Sequence, residues 1–110
     1  MVNEILLRAN REFNEELRLW KNQTGTAFYE ERTVQFGLPG SADITGIMLS
    51  KKTGFGVRVE IEVKVGRDKQ RESQKNFESM IVKFGGFYFV ASNDASAINF
   101  LKVVKASINR

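Results

Sequence analysis

Three residues of this sequence could together do chemistry: Asp43, Glu62 and Lys64. Asp43 follows the turn FGLPGSAD, in which two glycines flank the only proline, and it opens the apolar run that begins at Ile44. Glu62 and Lys64 lie in VEIEVK, Val59 to Lys64. There the odd positions Val57, Val59, Ile61, Val63 and Val65 are apolar and β-branched, which predicts a strand. The even positions Arg58, Glu60, Glu62 and Lys64 share its other face, so carboxylate and ammonium point the same way. Two carboxylates brought together repel unless a cation lies between them. With no histidine or cysteine in the chain, ligation by oxygen alone favours Mg²⁺ or Mn²⁺. A carboxylate pair, a hard cation and a neighbouring lysine suit phosphodiester hydrolysis, in which bound water is acidified and phosphoryl charge is neutralised. An amphipathic strand equally suits a sheet edge facing water, so the charged face is either solvated or the wall of a cleft.

Composition narrows the classes. The 110 residues make one domain, residues 1–110, with 42% apolar side chains for a core. Without cysteine there is no disulfide framework or thiolate site, and without histidine no imidazole-zinc centre or histidine triad. No apolar run approaches the ~20 residues of a membrane span. MVNEILLRANRE breaks its apolar pattern with charges, unlike a signal peptide, and predicts a cytoplasmic protein. The net charge of +4 is unevenly spread: residues 1–31 sum to −2, and Lys64 to Lys75 to +3. That basic cluster, with Arg67, Lys69, Arg71 and Lys75, would attract phosphates, or simply solvate a helix start.

The elements that must position these groups follow from periodicity. Ile5, Ala9, Phe13 and Leu17 predict a helix over about residues 3–17, and LRLW a strand before the polar turn KNQTG. Residues 28–36 and 44–49 read as strands, and SKKTGFG as a hairpin-like connection into the strand at 57–65. Phe77, Met80, Ile81 and Phe84 predict a helix from about 70 to 84, stopped by Gly85-Gly86. FYFVA reads as a strand buried on both faces. Ser92 or Asn93 can cap a last helix carrying Ile98, Leu101, Val104 and Ile108. The predicted order is α-β-β-β-β-α-β-α, an α/β fold with a mixed sheet, a crossover helix between parallel neighbours, and helices on its faces.

An acidic residue, a spacer and Glu-x-Lys on the next strand resemble the PD-(D/E)xK nuclease superfamily. The ordered segments WKNQTG, FGLPGSADITGI, IEVKVGRDKQRESQKNF and GGFYFVAS are similar to one branch of it, the VRR-NUC domain in its stand-alone phage and bacterial form. The family commonly has proline before the aspartate, where this chain has Ala42. The resemblance implies a restriction-endonuclease-like fold and a metal-dependent endonuclease acting on DNA, often on four-way (Holliday) junctions. It implies Asp43, Glu62 and the backbone carbonyl of Val63 as ligands of Mg²⁺ or Mn²⁺, and Lys64 as the catalytic lysine. Gln74 falls at the family's helix glutamine; its spacing from Phe77 turns it toward the sheet, where a helix N-terminal hydrogen bond would equally occupy it. Relatives also place a first-helix glutamate near the metal. Glu4 stands there, with Glu12, Glu15 and Glu16 as competitors.

Symmetric cutting of a branched substrate needs two active sites, which predicts a homodimer. Two other classes stay open from the residues. A nucleic-acid-binding module without catalysis would use the basic cluster and aromatics but leave Asp43 and Glu62 unexplained. A structural protein with a charge-blunted edge strand would bind no divalent metal. Within the enzyme class, a nuclease for linear duplex remains the alternative to a junction resolvase.

Overall fold

A computed structural model of the chain describes every residue except Thr24, Glu30 and Glu31, and every side chain except those at 24–31 and 33–36. The elements are α1 (Val2–Glu12), β1 (Leu17–Lys21), β2 (Gly25–Tyr29), β3 (Arg32–Phe36), β4 (Ile44–Leu49), β5 (Gly56–Val63), α2 (Glu72–Lys83), β6 (Phe87–Ala91) and α3 (Asp94–Ile108). Four strands form a mixed sheet in the order β1-β4-β5-β6. β4 is antiparallel to both neighbours, while β5 and β6 are parallel and joined by α2 as the crossover. Parallel neighbours need such a crossover, because a tight turn can only reverse the chain.

The two faces of the sheet carry different layers. Odd residues of β5 and their neighbours, among them Leu19, Ile44, Met48, Val59 and Ile61, pack under Ile5 and Ala9 of α1 and Ile98, Leu101 and Val104 of α3. On the opposite face α2 lays Phe77 and Ile81 against Tyr88 and Ala42, with Phe77 and Tyr88 edge to face at 6.2 Å between ring centroids. Asn10 of α1 covers the exposed backbone of edge strand β1. Its amide accepts from the Leu19 N–H at 2.9 Å and donates to the Leu19 carbonyl at 3.0 Å. Asn93, rather than Ser92, caps α3 by accepting from the Ser96 N–H at 2.8 Å.

Four expectations are corrected. The first helix stops at Glu12 instead of running to 17: Phe13 closes it, and Leu17 begins β1. The four-residue spacing survives because the Leu17 N–H still bonds the Phe13 carbonyl at 2.9 Å, returning Leu17 to the core. The strand expected over 28–36 is instead the end of β2 and all of β3, a separate antiparallel pair with Tyr29 opposite Arg32; its Glu30 and Glu31 lie outside the described residues. The order therefore gains a strand, α-β-β-β-β-β-α-β-α. β6 is a sheet edge, apolar because helices cover its two faces, and Val90 remains 38% exposed. Finally, β5 ends at Val63, leaving Val65 exposed beyond it.

The turn before β4 is welded to α2 by Gly40. Its φ is +74°, and a Cβ there would stand 2.2 Å from the Ser73 carbonyl oxygen and 2.7 Å from the Gln74 nitrogen. Gly54 also has a left-handed φ, +79°, but open space around it. Replacing Gly54 with alanine is expected to cost about 1 kcal/mol, from backbone conformation alone. Gly40→Ala is expected to cost at least ~3 kcal/mol, since two backbones must also separate. Urea unfolding of the two variants beside wild type measures the difference.

Candidate metal and phosphate site

Strand register brings the carboxylates together. Ile44 opposes Ile61 in the β4–β5 ladder, so Asp43, one residue before β4, stands level with Glu62. The Asp43 carboxylate accepts the Val63 N–H at 2.8 Å, which ties the end of β5 to the start of β4. Asn22, in the turn after β1, holds the same segment: its N–H bonds the Asp43 carbonyl at 2.8 Å and its side-chain amide donates to the Ala42 carbonyl at 3.0 Å. The close approach at Gly40 brings the first turn of α2 alongside. There Gln74 is buried and accepts the Arg71 N–H at 2.8 Å. Gln74 turns inward as its spacing from Phe77 predicts, and of its two readings the helix N-terminal hydrogen bond is the one present.

The charged face of β5 is covered. Glu60 is 0% and Glu62 4% exposed. Glu60 is held by the Thr45 hydroxyl, its cross-strand partner, and by Arg58 Nε, each at 2.7 Å. A buried carboxylate with a guanidinium and a hydroxyl on one oxygen is compensated in charge, and Glu60 accordingly pairs with a basic side chain. Among the described residues Glu62 has no such cation bound to it, and its Oε2 is buried without a hydrogen-bond partner, as is Glu60 Oε2. Burial first, then the adjacent Asp43 carboxylate by hydrogen bond and by charge, raise the Glu62 carboxyl to about 8, against the weaker pull of Lys64 and Arg71. Two carboxylates this close share one proton more readily than they both ionise.

Residues around the pair set its polarity. Lys64 is half-buried, and its charge together with that of Arg71 acts on Glu62. Arg67, Lys69, Arg71 and Lys75 are exposed along the segment that leaves β5 and enters α2. Tyr88 faces the same side one row away, paired in register with Glu60, and the Gln70 amide bridges its hydroxyl at 3.3 Å and Glu78 at 2.9 Å. Burial pushes the Tyr88 phenol up to about 12, so it stays neutral and can donate a hydrogen bond. Glu4 is not brought to the pair. It is exposed on α1, which covers the opposite face, and bonds the N-terminal ammonium at 2.7 Å. Its competitor Glu16 is taken by Lys51 and Lys105 at 3.0 and 2.9 Å. Asn22, Thr45 and Tyr88 went unnoticed as site residues in the sequence. Only Asn22 leaves a signal there, as the polar residue two positions after an apolar strand.

The donor set fits a hard divalent cation. All donors are oxygen, the pair is mutually repulsive, and one buried oxygen has no partner of its own. Among the described residues no group of three or more His, Cys, Asp or Glu is assembled, so backbone, water and substrate oxygens would complete the coordination, as Mg²⁺ commonly accepts. No family model, curated protein or solved structure matches the chain.

The raised Glu62 carboxyl has a consequence for stability. Below the unfolded value of 4.5 both folded and unfolded states hold the proton. As pH rises toward about 8 only the folded state retains it, so stability falls, by at most about 1.4 kcal/mol per pH unit. In EDTA, denaturant midpoints are expected to fall between pH 5 and 8 for wild type. For Glu62→Gln they are expected to fall less, and that variant should be the more stable of the two at pH 8.

Proposed function

We propose that the protein is a divalent-metal-dependent DNA endonuclease with the restriction-endonuclease-like arrangement that the sequence resemblance implies. The observation that carries this reading is the buried, unpartnered Glu62 oxygen set against Asp43, with Lys64 on the same face. Neither a binding module nor a structural edge strand accounts for a buried carboxylate, Glu62, set beside the half-buried Asp43, because burying a charged acid against another costs free energy unless a cation compensates it.

Asp43, Glu62 and the Val63 carbonyl would hold Mg²⁺ or Mn²⁺, which when bound acidifies water and neutralises charge on a phosphoryl oxygen. The chain's own groups do the rest. The Val63 N–H fixes the Asp43 carboxylate, and Asn22 fixes the backbone that carries it. Lys64 orients the attacking water, or offsets the negative charge that develops on the phosphate. Arg67, Lys69, Arg71 and Lys75 bind backbone phosphates without reading bases. Nothing in the sequence resembles a major-groove recognition helix, which favours recognition of DNA shape over sequence, and a four-way junction cut by a homodimer is the substrate we infer.

Cleavage of a labelled four-way junction and a matched linear duplex, in Mg²⁺, Mn²⁺ or EDTA, tests this. Lys64→Ala is expected to lose at least ~10²-fold in rate while binding within a few-fold of wild type. Asp43→Asn is expected to lose both activity and Mn²⁺ affinity by calorimetry. Normal cleavage by Lys64→Ala would refute the site. Cutting of both substrates would keep the nuclease and discard the preference for junctions.

A further inference from the structure

The face of the sheet that bears the carboxylates is only partly covered by α2. Register sorts this face into rows. Trp20, Thr45, Glu60 and Tyr88 lie in line across the four strands, and Arg18, Ile47 and Arg58 form the next row away from Asp43. Tyr88 lies under Phe77 of α2. At the β1 side no such cover exists among the described residues: Trp20 and Ile47 are each 46% exposed and Leu49 39%. A shallow groove runs on from there past Arg18, Ile47 and Leu49 to Gly56. Exposed indole and aliphatic surface, flanked by two arginines, is unusual on a sheet face unless something covers it.

Charge selects the occupant. Arg18 and Arg58 frame the apolar row. Arg58 engages Glu60 through Nε alone, and its side chain is 52% exposed, leaving the rest of the guanidinium to face outward. The one acid in these rows, Glu60, is buried beneath that pair. Acid returns only at the far end of the groove, at Glu15 and Glu16, which bounds the strip on the side away from Asp43. Trp20 is two residues from Asn22, the residue that holds Asp43, so the strip begins about 7 Å along the strands from the row that carries the carboxylates. The basic segment from Lys64 to Lys75 lies beyond the carboxylates in the other direction. The pair therefore sits between a phosphate-binding segment on one flank and an arginine-framed aromatic on the other.

We infer that this strip binds an unpaired stretch of nucleic acid beside the cut site, with Trp20 stacking on a base and Arg18 and Arg58 contacting the adjoining phosphates. The inference rests on the nuclease reading and sharpens it: the substrate class becomes DNA with unstacked nucleotides at the site, as at a fork, flap or junction centre, rather than continuous duplex. Stacking on an exposed indole is tolerant of sequence because every base has a π-face, and arginine adds to it.

The chain has one tryptophan, so its emission reports on this strip alone. The full-length Asp43→Asn protein in Mg²⁺ is titrated with a single-stranded oligonucleotide, a forked duplex and a blunt duplex, with anisotropy of a DNA-borne dye as a separate measure of binding. Single-stranded and forked DNA are expected to quench Trp20 at saturation, and blunt duplex to leave its emission nearly unchanged. In the same background, Trp20→Ala is expected to weaken binding of the forked DNA about tenfold and Trp20→Phe less than threefold, with blunt duplex little affected by either. Arg18→Gln, which leaves the indole in place, is expected to reduce the salt dependence of fork binding by about one ion. Circular dichroism checks that each variant is folded.

Bound DNA without quenching would overturn the strip and leave the nuclease reading standing. Equal quenching by blunt duplex would also overturn it, since the contact would not need an unpaired base. An emission change with protein concentration alone, matched by self-association that Trp20→Ala abolishes, would assign the strip to a second copy of the chain and refute the inference. No DNA binding by anisotropy would remove the strip and the nuclease reading together, whereas cleavage of the junction by wild type bears on the nuclease reading alone.

Discussion

The hydrogen bond from the Val63 N–H to the Asp43 carboxylate is the constraint on which the rest of the site depends. It joins the last residue of β5 to the residue before β4, and so holds two carboxylates together that would otherwise repel. Everything nearby serves the same alignment. Gly40 lets the turn lie directly on the α2 backbone, Asn22 grips that turn from the other side, and Gln74 closes the helix start beside it. A hydrogen bond from a backbone amide to a carboxylate is a charge-assisted one, strong enough to keep the pair in place before any cation arrives.

The two glutamates of β5 show how neighbours, at similar burial, assign different roles to one residue type. Glu60 and Glu62 are two positions apart on the same face, and both are nearly inaccessible to solvent. Glu60 is met by a guanidinium and a hydroxyl, so it serves as a fixed part of the sheet. Glu62 meets another carboxylate instead, and holds its proton to about pH 8. An uncompensated buried acid is costly to keep, and on the nuclease reading a divalent cation is what offsets that cost. On the same reading, that contrast singles out Glu62, rather than Glu60 two residues earlier, as the one suited to bind metal.

The architecture also divides labour between faces. α1 and α3 with the odd residues of β5 make the main core, which leaves the other face to be shared between α2 and solvent. Because α2 enters as the crossover between β5 and β6, it covers that side of the sheet and brings the basic segment 67–75 alongside Glu62. Among the described residues the β1 side stays open, with Trp20 and Arg18 on it. The pair lies at the boundary between a covered and an open half of one sheet, sheltered enough to raise the Glu62 carboxyl's pKa while Asp43 stays only half-buried.

Alternation and spacing made much of this legible. The strand through VEIEV, expected over 57–65 and ending at Val63, the helix ending in a double glycine, the capped last helix and the crossover all follow from local patterns, since a period of two or of about 3.6 records which face is buried. So do the candidate residues Asp43, Glu62 and Lys64, whose types admit few other chemistries in a chain without histidine or cysteine. Periodicity failed where a turn happened to preserve it, at Phe13 and Leu17, and where one apolar run held two strand segments, at 28–36. What the sequence determined by itself was which residues lie on which side of each element, because that depends only on backbone geometry. Tertiary structure alone decided that both glutamates of β5 are buried, that Glu60 is paired with a guanidinium and Glu62 is not, that Glu4 lies across the sheet from the pair, and that Trp20 stands uncovered by any described residue. Those outcomes depend on register and on which helix crosses which strand, and both are set by contacts between residues far apart in the chain.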